Sequence, residues 1–167
     1  MEKKIETALN EHLRNEMQAG YQYLSMAAFA ASMNLPGTAH WFHMQMREEL
    51  IHMMRFFTFI NDRGGTVTLG AIDAPKTGFK TVIDAFQAAL ENEQTVTGEV
   101  NDLYELAANQ KDWATMTFMQ TFVTEQVEEE AEVMRLVETL KMVGDNRGAL
   151  LLIDRELGSR PEPSVGA

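Results

Sequence analysis

Glu48-Glu49-Leu50-Ile51-His52 is the stretch on which the reading of the whole chain turns. Glu49 and His52 stand three residues apart, one turn along a helix, so both project to one side. Phe42 and Gln45 before them and Phe56 and Phe59 after them complete the same stripe. A helix predicted over about 36–63 therefore carries a carboxylate and an imidazole inside its apolar seam. Such a face should be apolar in a soluble protein, and a metal ion is one reason for an exception. A lone Glu-x-x-His carries little weight in a chain with 25 acids and 4 histidines, where it also arises on ordinary wet faces. The other segments decide its meaning.

Three more long helices are predicted, each with one seam. Residues 5–33 give Leu9, Leu13, Glu16, Gly20, Tyr23, Ala27 and Ala30, alternating steps of four and three. Residues 80–108 give Val82, Phe86, Ala89, Glu93, Val96, Val100, Leu103 and Ala107. Residues 112–143 give Met119, Phe122, Gln126, Glu129, Val133, Leu136, Leu140 and Val143. Asn34-Leu35-Pro36-Gly37 makes a short turn with Pro opening the next helix, Gly64-Gly65 ends the second, and Asp112 is a predicted N-cap of the fourth. Residues 64–79 show no helical period; extended, they reach about 50 Å, enough to cross the bundle. A short fifth helix follows over about 145–157. The fold class is thus all-α, a four-helix bundle with one long crossover and a short C-terminal helix, with a single domain over 1–158 and a flexible tail over 159–167.

Composition removes whole classes of function. The 167 residues include no Cys, so disulfides, thiolate zinc sites, iron–sulfur clusters and cysteine nucleophiles are all absent. A formal net charge of -11 excludes nucleic acid as a main partner and suits a protein that gathers cations. The richest apolar run, Met26 to Ala31, is too short to span a membrane, and the N-terminus lacks a signal-peptide core; a soluble, cytoplasmic protein is expected.

The polar interruptions of the four seams fall at one height. Glu93 lies about 17 residues before the second tight turn, and Gln126 and Glu129 about 16 and 19 after it; Glu16, Glu49 and His52 stand similarly about the first, with mismatches under about two turns. Four unrelated burials of acid at one level would be costly, and no Lys or Arg interrupts any seam to pair with them. A divalent metal cluster neutralises them. Carboxylate and imidazole ligands without thiolate suit iron, manganese or zinc. Two acids on separate helices plus a Glu-x-x-His make most of a carboxylate-bridged di-iron pattern, with Glu49 shared, Glu16 and His52 completing one ion and Glu93 and Glu129 the other.

On these motifs, together with Asn15-Glu16, Tyr21-Gln22-Tyr23 and Glu125-Gln126-Val127-Glu128-Glu129-Glu130, nearly the whole chain resembles the bacterial non-haem ferritins. The resemblance implies ferroxidase chemistry: iron as the metal, two ions at the centre, Fe(II) oxidised by O2 or peroxide, and Fe(III) laid down as mineral inside a homo-oligomeric cage of twenty-four subunits. It implies that Tyr23 hydrogen-bonds a ligand and can donate an electron, that Gln126 stands beside the second iron, and that Glu48, Glu125 and Glu128, with Glu129, form a third iron site toward the cavity. The fifth helix would line the fourfold axes. His12, His40 and His43 are expected at the surface or at subunit contacts. Leu50 stands where bacterioferritins carry their haem-binding Met, so no haem is expected, and Thr121 and Phe122 occupy the region of a tryptophan found in some relatives. The rival readings are a rubrerythrin-like di-iron peroxidase or oxidase without mineral storage, and a bundle that only presents its faces to partners.

Overall fold

The computed structural model describes residues 1–163, and among them every regular element is a helix: α1 Lys3–Ser32, α2 Pro36–Asp62, α3 Val82–Asn109, α4 Trp113–Val143 and α5 Arg147–Leu157. The all-α expectation holds, with each predicted boundary within two residues of the observed one. None of these helices is long and apolar enough to cross a membrane. The C-terminal four residues lie outside the described part, so the predicted flexible tail is described only over 159–163.

Local chemistry sets the helix ends. Pro36 occupies the first turn of α2, where its missing N–H costs nothing. Asn34 and Lys111 take positive φ (57° and 55°) to reverse the chain inside the two tight turns, and Gly64 does the same after α2 at φ 70°. Thr81 and Asp84 form a reciprocal capping box at the start of α3, which moves its first residue from the predicted Lys80 to Val82. Asp112 caps α4 by accepting from the Thr115 N–H, and Arg63 grips the same carboxylate at 2.9 and 3.0 Å.

Two hairpins result, α1 with α2 and α3 with α4, joined by the segment between α2 and α3. That segment is tied down along α1. Asn10 meets the backbone of Thr66 and Thr68, Gln18 that of Asp73, and Gln22 that of Lys76. Successive anchors climb α1 toward its C-terminus, so the connection crosses the length of the bundle and α3 starts at the far end. The sequence distance alone allowed this; the side-chain amides of α1 hold it there.

The fifth helix docks through a group that the apolar run Leu150–Ile153 did not foreshadow. Asp154, 5 % exposed, accepts from the Gly37 N–H and from both the N–H and hydroxyl of Thr38, capping α2 from 116 residues away. A side chain at position 37 would strike the Asp154 carbonyl at 1.6 Å, so only glycine permits the approach.

Apolar packing fills both ends of the bundle. One cluster gathers Tyr23, Met26, Trp41, Phe42, Phe86, Ala89, Val133 and Val137; the other gathers Ile5, Leu9, Leu13, Phe56, Ile60, Val100, Leu103, Met119 and Phe122. Between them lies a buried polar layer.

Candidate metal centre

Each helix contributes to that layer from its seam. Glu16 comes from α1, Gln45, Glu49 and His52 from α2, Glu93 from α3 and Gln126 from α4, all at most 6 % exposed. Glu129 of α4 is partly buried. Opposing helices bring them together because each hairpin places them at matching distances from its turn. Gly20 of α1 makes room: a Cβ there would meet Glu49 Cβ and the Met46 carbonyl at 3.4 Å, so the helices approach closely where the carboxylates meet.

Two groups of potential ligands emerge, and Glu49 belongs to both. Glu16, Glu49 and His52 each offer an atom within 4.8 Å of the others, as do Glu49, Glu93 and Glu129. Gln126 stands beside the second group, with its amide nitrogen 3.3 Å from a Glu93 carboxylate oxygen, the Glu93 carbonyl and the Thr97 hydroxyl. The Tyr23 hydroxyl, wholly buried, donates to the other Glu93 oxygen. The Tyr23 ring packs edge-on to Trp41 at 6.4 Å between centroids, and the Trp41 indole N–H reaches Glu132 at 3.1 Å.

The electrostatics of the layer are those of too many anions for the available partners. Burial, reinforced by Glu16, Glu93 and Glu129, holds the Glu49 carboxyl well above the usual carboxylate range. Burial and Glu93 do the same to Glu129, and burial raises Glu93 against the hydrogen bonds from Tyr23 and Gln126. Glu16 goes the other way: burial opposes its charge, but the His12 and His52 imidazoles hold it ionised. Tyr23 is pushed up by burial and by Glu93, so its phenol keeps its proton.

Both oxygens of Glu16, Oε1 of Glu49 and Oε2 of Glu129 are buried without a well-aligned hydrogen-bond partner in the protein. Buried polar atoms are nearly always satisfied, and carboxylate oxygens cost most when they are not. Oxygen-rich ligand sets with one imidazole suit first-row divalent cations such as Fe(II). The residues present therefore fit a metal pair.

The outer acids behave differently. Glu48, partly buried, is held by Arg160 at 2.9 Å. Glu125 binds Arg55 at 2.7 and 3.0 Å and lies 3.8 Å from His52 Nε2. Glu128 is exposed. The two arginines were not legible as neighbours of the site: Arg55 lies off the seam, and Arg160 falls in the segment expected to be a flexible tail. Arg160 also packs over Trp41 at 4.8 Å, and its carbonyl meets the partly buried His40 ring at 2.8 Å. His43 is exposed.

His12 corrects the sequence reading. It is not at the surface but 3 % exposed, with its ring against Phe56 at 4.7 Å, Nε2 2.9 Å from Glu16 and Nδ1 3.5 Å from Glu99. Its place follows from the four-residue step to Glu16, which stacks the two side chains on one face of α1.

Comparison with known proteins agrees with this architecture. The family model described as a ferritin-like domain matches residues 6–143. The bacterial non-heme ferritin of Staphylococcus aureus strain MRSA252 is 37% identical over 160 residues, 96% of each chain. That of Staphylococcus saprophyticus is 38% identical, again over 96% of each. An open pore ferritin from the archaeon Archaeoglobus fulgidus superposes with a TM-score of 0.95 at 40% identity, covering 96% of this chain and 99% of the other. With five helices in ferritin order and a polar layer of shared carboxylates between two apolar clusters, the chain belongs to the ferritin family.

Proposed function

We propose that the protein stores iron and is a ferroxidase, with the buried layer as a di-iron centre. The observation that carries this reading is the pair of ligand groups sharing Glu49, with buried carboxylate oxygens in both that lack a well-aligned hydrogen bond. Fe(II) is the substrate. Glu16 and His52 would hold one ion and Glu93 and Glu129 the other, and Glu49 would bridge them and fix their spacing. Each Fe(II) gives up one electron. O2 takes two electrons and two protons to become hydrogen peroxide; where peroxide is the acceptor, two electrons and two protons convert it to two waters.

The rest of the site prepares those residues. Tyr23 and Gln126 orient Glu93 by holding opposite oxygens of its carboxylate. The Phe56 and Phe122 rings, buried beside His12 and His52, keep bulk water out on that side. Tyr23 retains its proton in the resting site, hydrogen-bonded to Glu93, and would be the residue beside the metal pair able to donate an electron. Glu129 and its neighbours Glu48, Glu125 and Glu128 form the route by which Fe(III) leaves, and the third iron position; Arg160 and Arg55 must swing aside for it.

Storage requires an enclosed space, and the reading includes assembly into a cage of twenty-four subunits in the cytoplasm, with α5 at the fourfold axes. The -11 net charge is in keeping with a cation-collecting interior. The test is O2 consumption on adding Fe(II), run beside light scattering. Rapid uptake that Glu49→Ala abolishes, in a particle of cage mass, is the expected result. No uptake would overturn the ferroxidase reading, and a small oligomer would overturn storage while leaving the redox chemistry standing.

A further inference from the structure

His12 is a buried imidazole that the di-iron centre does not use as a ligand. It is also the floor of a cleft of about 180 Å³ on the α1/α3 face, whose other polar walls are Glu11, Asn15, Glu99 and Asp102. Glu99 and Asp102 lie one turn apart on α3 and face Glu11 of α1. Three carboxylates alone would be an ordinary acidic surface. The imidazole changes that, because neither of its nitrogens makes a well-aligned hydrogen bond although the side chain is 3 % exposed.

The ring has two different sides. Nε2 is 2.9 Å from Glu16, and Nδ1 is turned toward Glu99 at 3.5 Å. A histidine that ligates through one nitrogen characteristically gives the N–H of the other to a carboxylate, which fixes the tautomer and aims the lone pair. Glu16 is placed to be that carboxylate. A cation entering the cleft would displace the Nδ1 proton, and the lone pair so freed faces Glu99, which supplies the first oxygen. Asn15 steadies Glu99 by donating to it at 2.9 Å. Asp102 and Glu11 are both exposed and able to turn inward as further oxygen ligands.

We propose that this cleft is a docking site for a divalent cation of the Fe(II) class, held by His12 Nδ1 and Glu99 with help from Asp102 or Glu11, and that it hands the ion on to Glu16. The proposal rests on the di-iron reading for its destination, but the site itself is made of other residues. One imidazole with carboxylates is a donor set for borderline first-row cations, and it does not favour Ca²⁺, which takes oxygen ligands only. The cleft opens to solvent, and His12, which lines it, stands 2.9 Å from Glu16, so the imidazole alone separates an ion held there from a ligand of the proposed first iron.

Anaerobic equilibrium dialysis of the assembled, chelator-treated protein against Co(II), a redox-stable stand-in for Fe(II), tests it. The key variant is Glu99→Gln with Asp102→Asn, which alters one partly buried and one exposed residue and leaves the core intact. It should bind one Co(II) fewer per subunit than the unaltered protein and raise the KM for Fe(II) about tenfold. His12→Leu should lose the same equivalent; if it fails to assemble, the double variant decides alone. An unchanged Co(II) stoichiometry in the double variant overturns the proposal. Glu49→Ala, run in parallel, separates the two readings: retention of every Co(II) in that variant would count against the di-iron centre, whatever the cleft does.

Discussion

Glu16, Glu49 and His52 draw on α1 and α2 and have the His12 imidazole behind them; Glu49, Glu93 and Glu129 draw on α2, α3 and α4 and have no imidazole of their own. In the first group, two imidazoles hold Glu16 ionised despite its burial, and Glu16 in turn keeps them protonated, His12 up to about 9. In the second, burial and mutual repulsion push the carboxyls above their usual range, Glu49 and Glu129 furthest. One half of the layer thus reaches charge balance inside the protein. The other half reaches it only with protons or with a cation. The same residue types, one helix apart, give a subsite that is internally paired and a subsite that depends on what binds.

The largest effect should come from the residue common to both. Glu49→Ala removes a ligand from each group and should lower the initial rate of Fe(II)-dependent O2 uptake at least a hundredfold, since even outer partners of metal ligands cost about 10–100-fold. A loss confined to one iron would break the idea that the subsites share it.

Stability of the metal-free protein should separate the halves by sign. Glu16→Gln strands two buried imidazolium groups and should cost about 3 kcal/mol, as breaking a buried ion pair does. Glu129→Gln removes a carboxyl that is raised by its neighbours and should be neutral or stabilise by about 1 kcal/mol. Melting of chelator-treated variants measures both, and destabilisation of similar size in the two would erase the distinction.

The pH response of the metal-free protein follows from the same shifts. His12 has a folded pKa above its usual 6.5, so its contribution is complete below that value and is lost as pH rises through about 9. The second-subsite carboxyls, also raised, likewise lose their contribution as pH rises above the usual carboxylate range. Glu16, lowered, loses its contribution only in acid. The Tm of the chelator-treated protein should therefore fall between pH 6.5 and 9, and His12→Leu should flatten the slope. Divalent metal binding should strengthen over the same interval, because the ligands must shed protons; a Tm that rises with pH without metal would contradict the assignment.

A smaller effect, outside both groups, serves as the control. Asp154→Ala removes the cap on α2 and should cost about 1 kcal/mol while leaving Co(II) stoichiometry unchanged. A metal-binding defect there would mean that α5 reaches the centre through α2.

The four long helices and the crossover were legible in the sequence because periodicity of 3.6 residues is strong over about thirty residues, and the polar interruptions stood out against it. The placement of Glu16, Glu49, His52, Glu93, Gln126 and Glu129 in one layer followed from turn positions and rise per residue alone. What lay hidden came from contacts distant in sequence. Asp154 capping α2 and Arg160 reaching Glu48 join residues more than 110 apart, with no periodic signature at either end. His12 did have a signature, its four-residue step to Glu16, but it lies beside the leucine seam rather than in it. It is buried because α3 covers that edge of α1.

The most direct measurement of the central claim is O2 uptake in a rapid-mixing experiment with Fe(II) raised in steps against a fixed amount of metal-free protein. The two ligand groups sharing Glu49 predict a fast phase whose amplitude saturates at two Fe(II) per subunit, with one O2 consumed for each pair, and which is lost in Glu49→Ala. A fast phase that saturates at a single Fe(II) per subunit, or one that survives in Glu49→Ala, would contradict it.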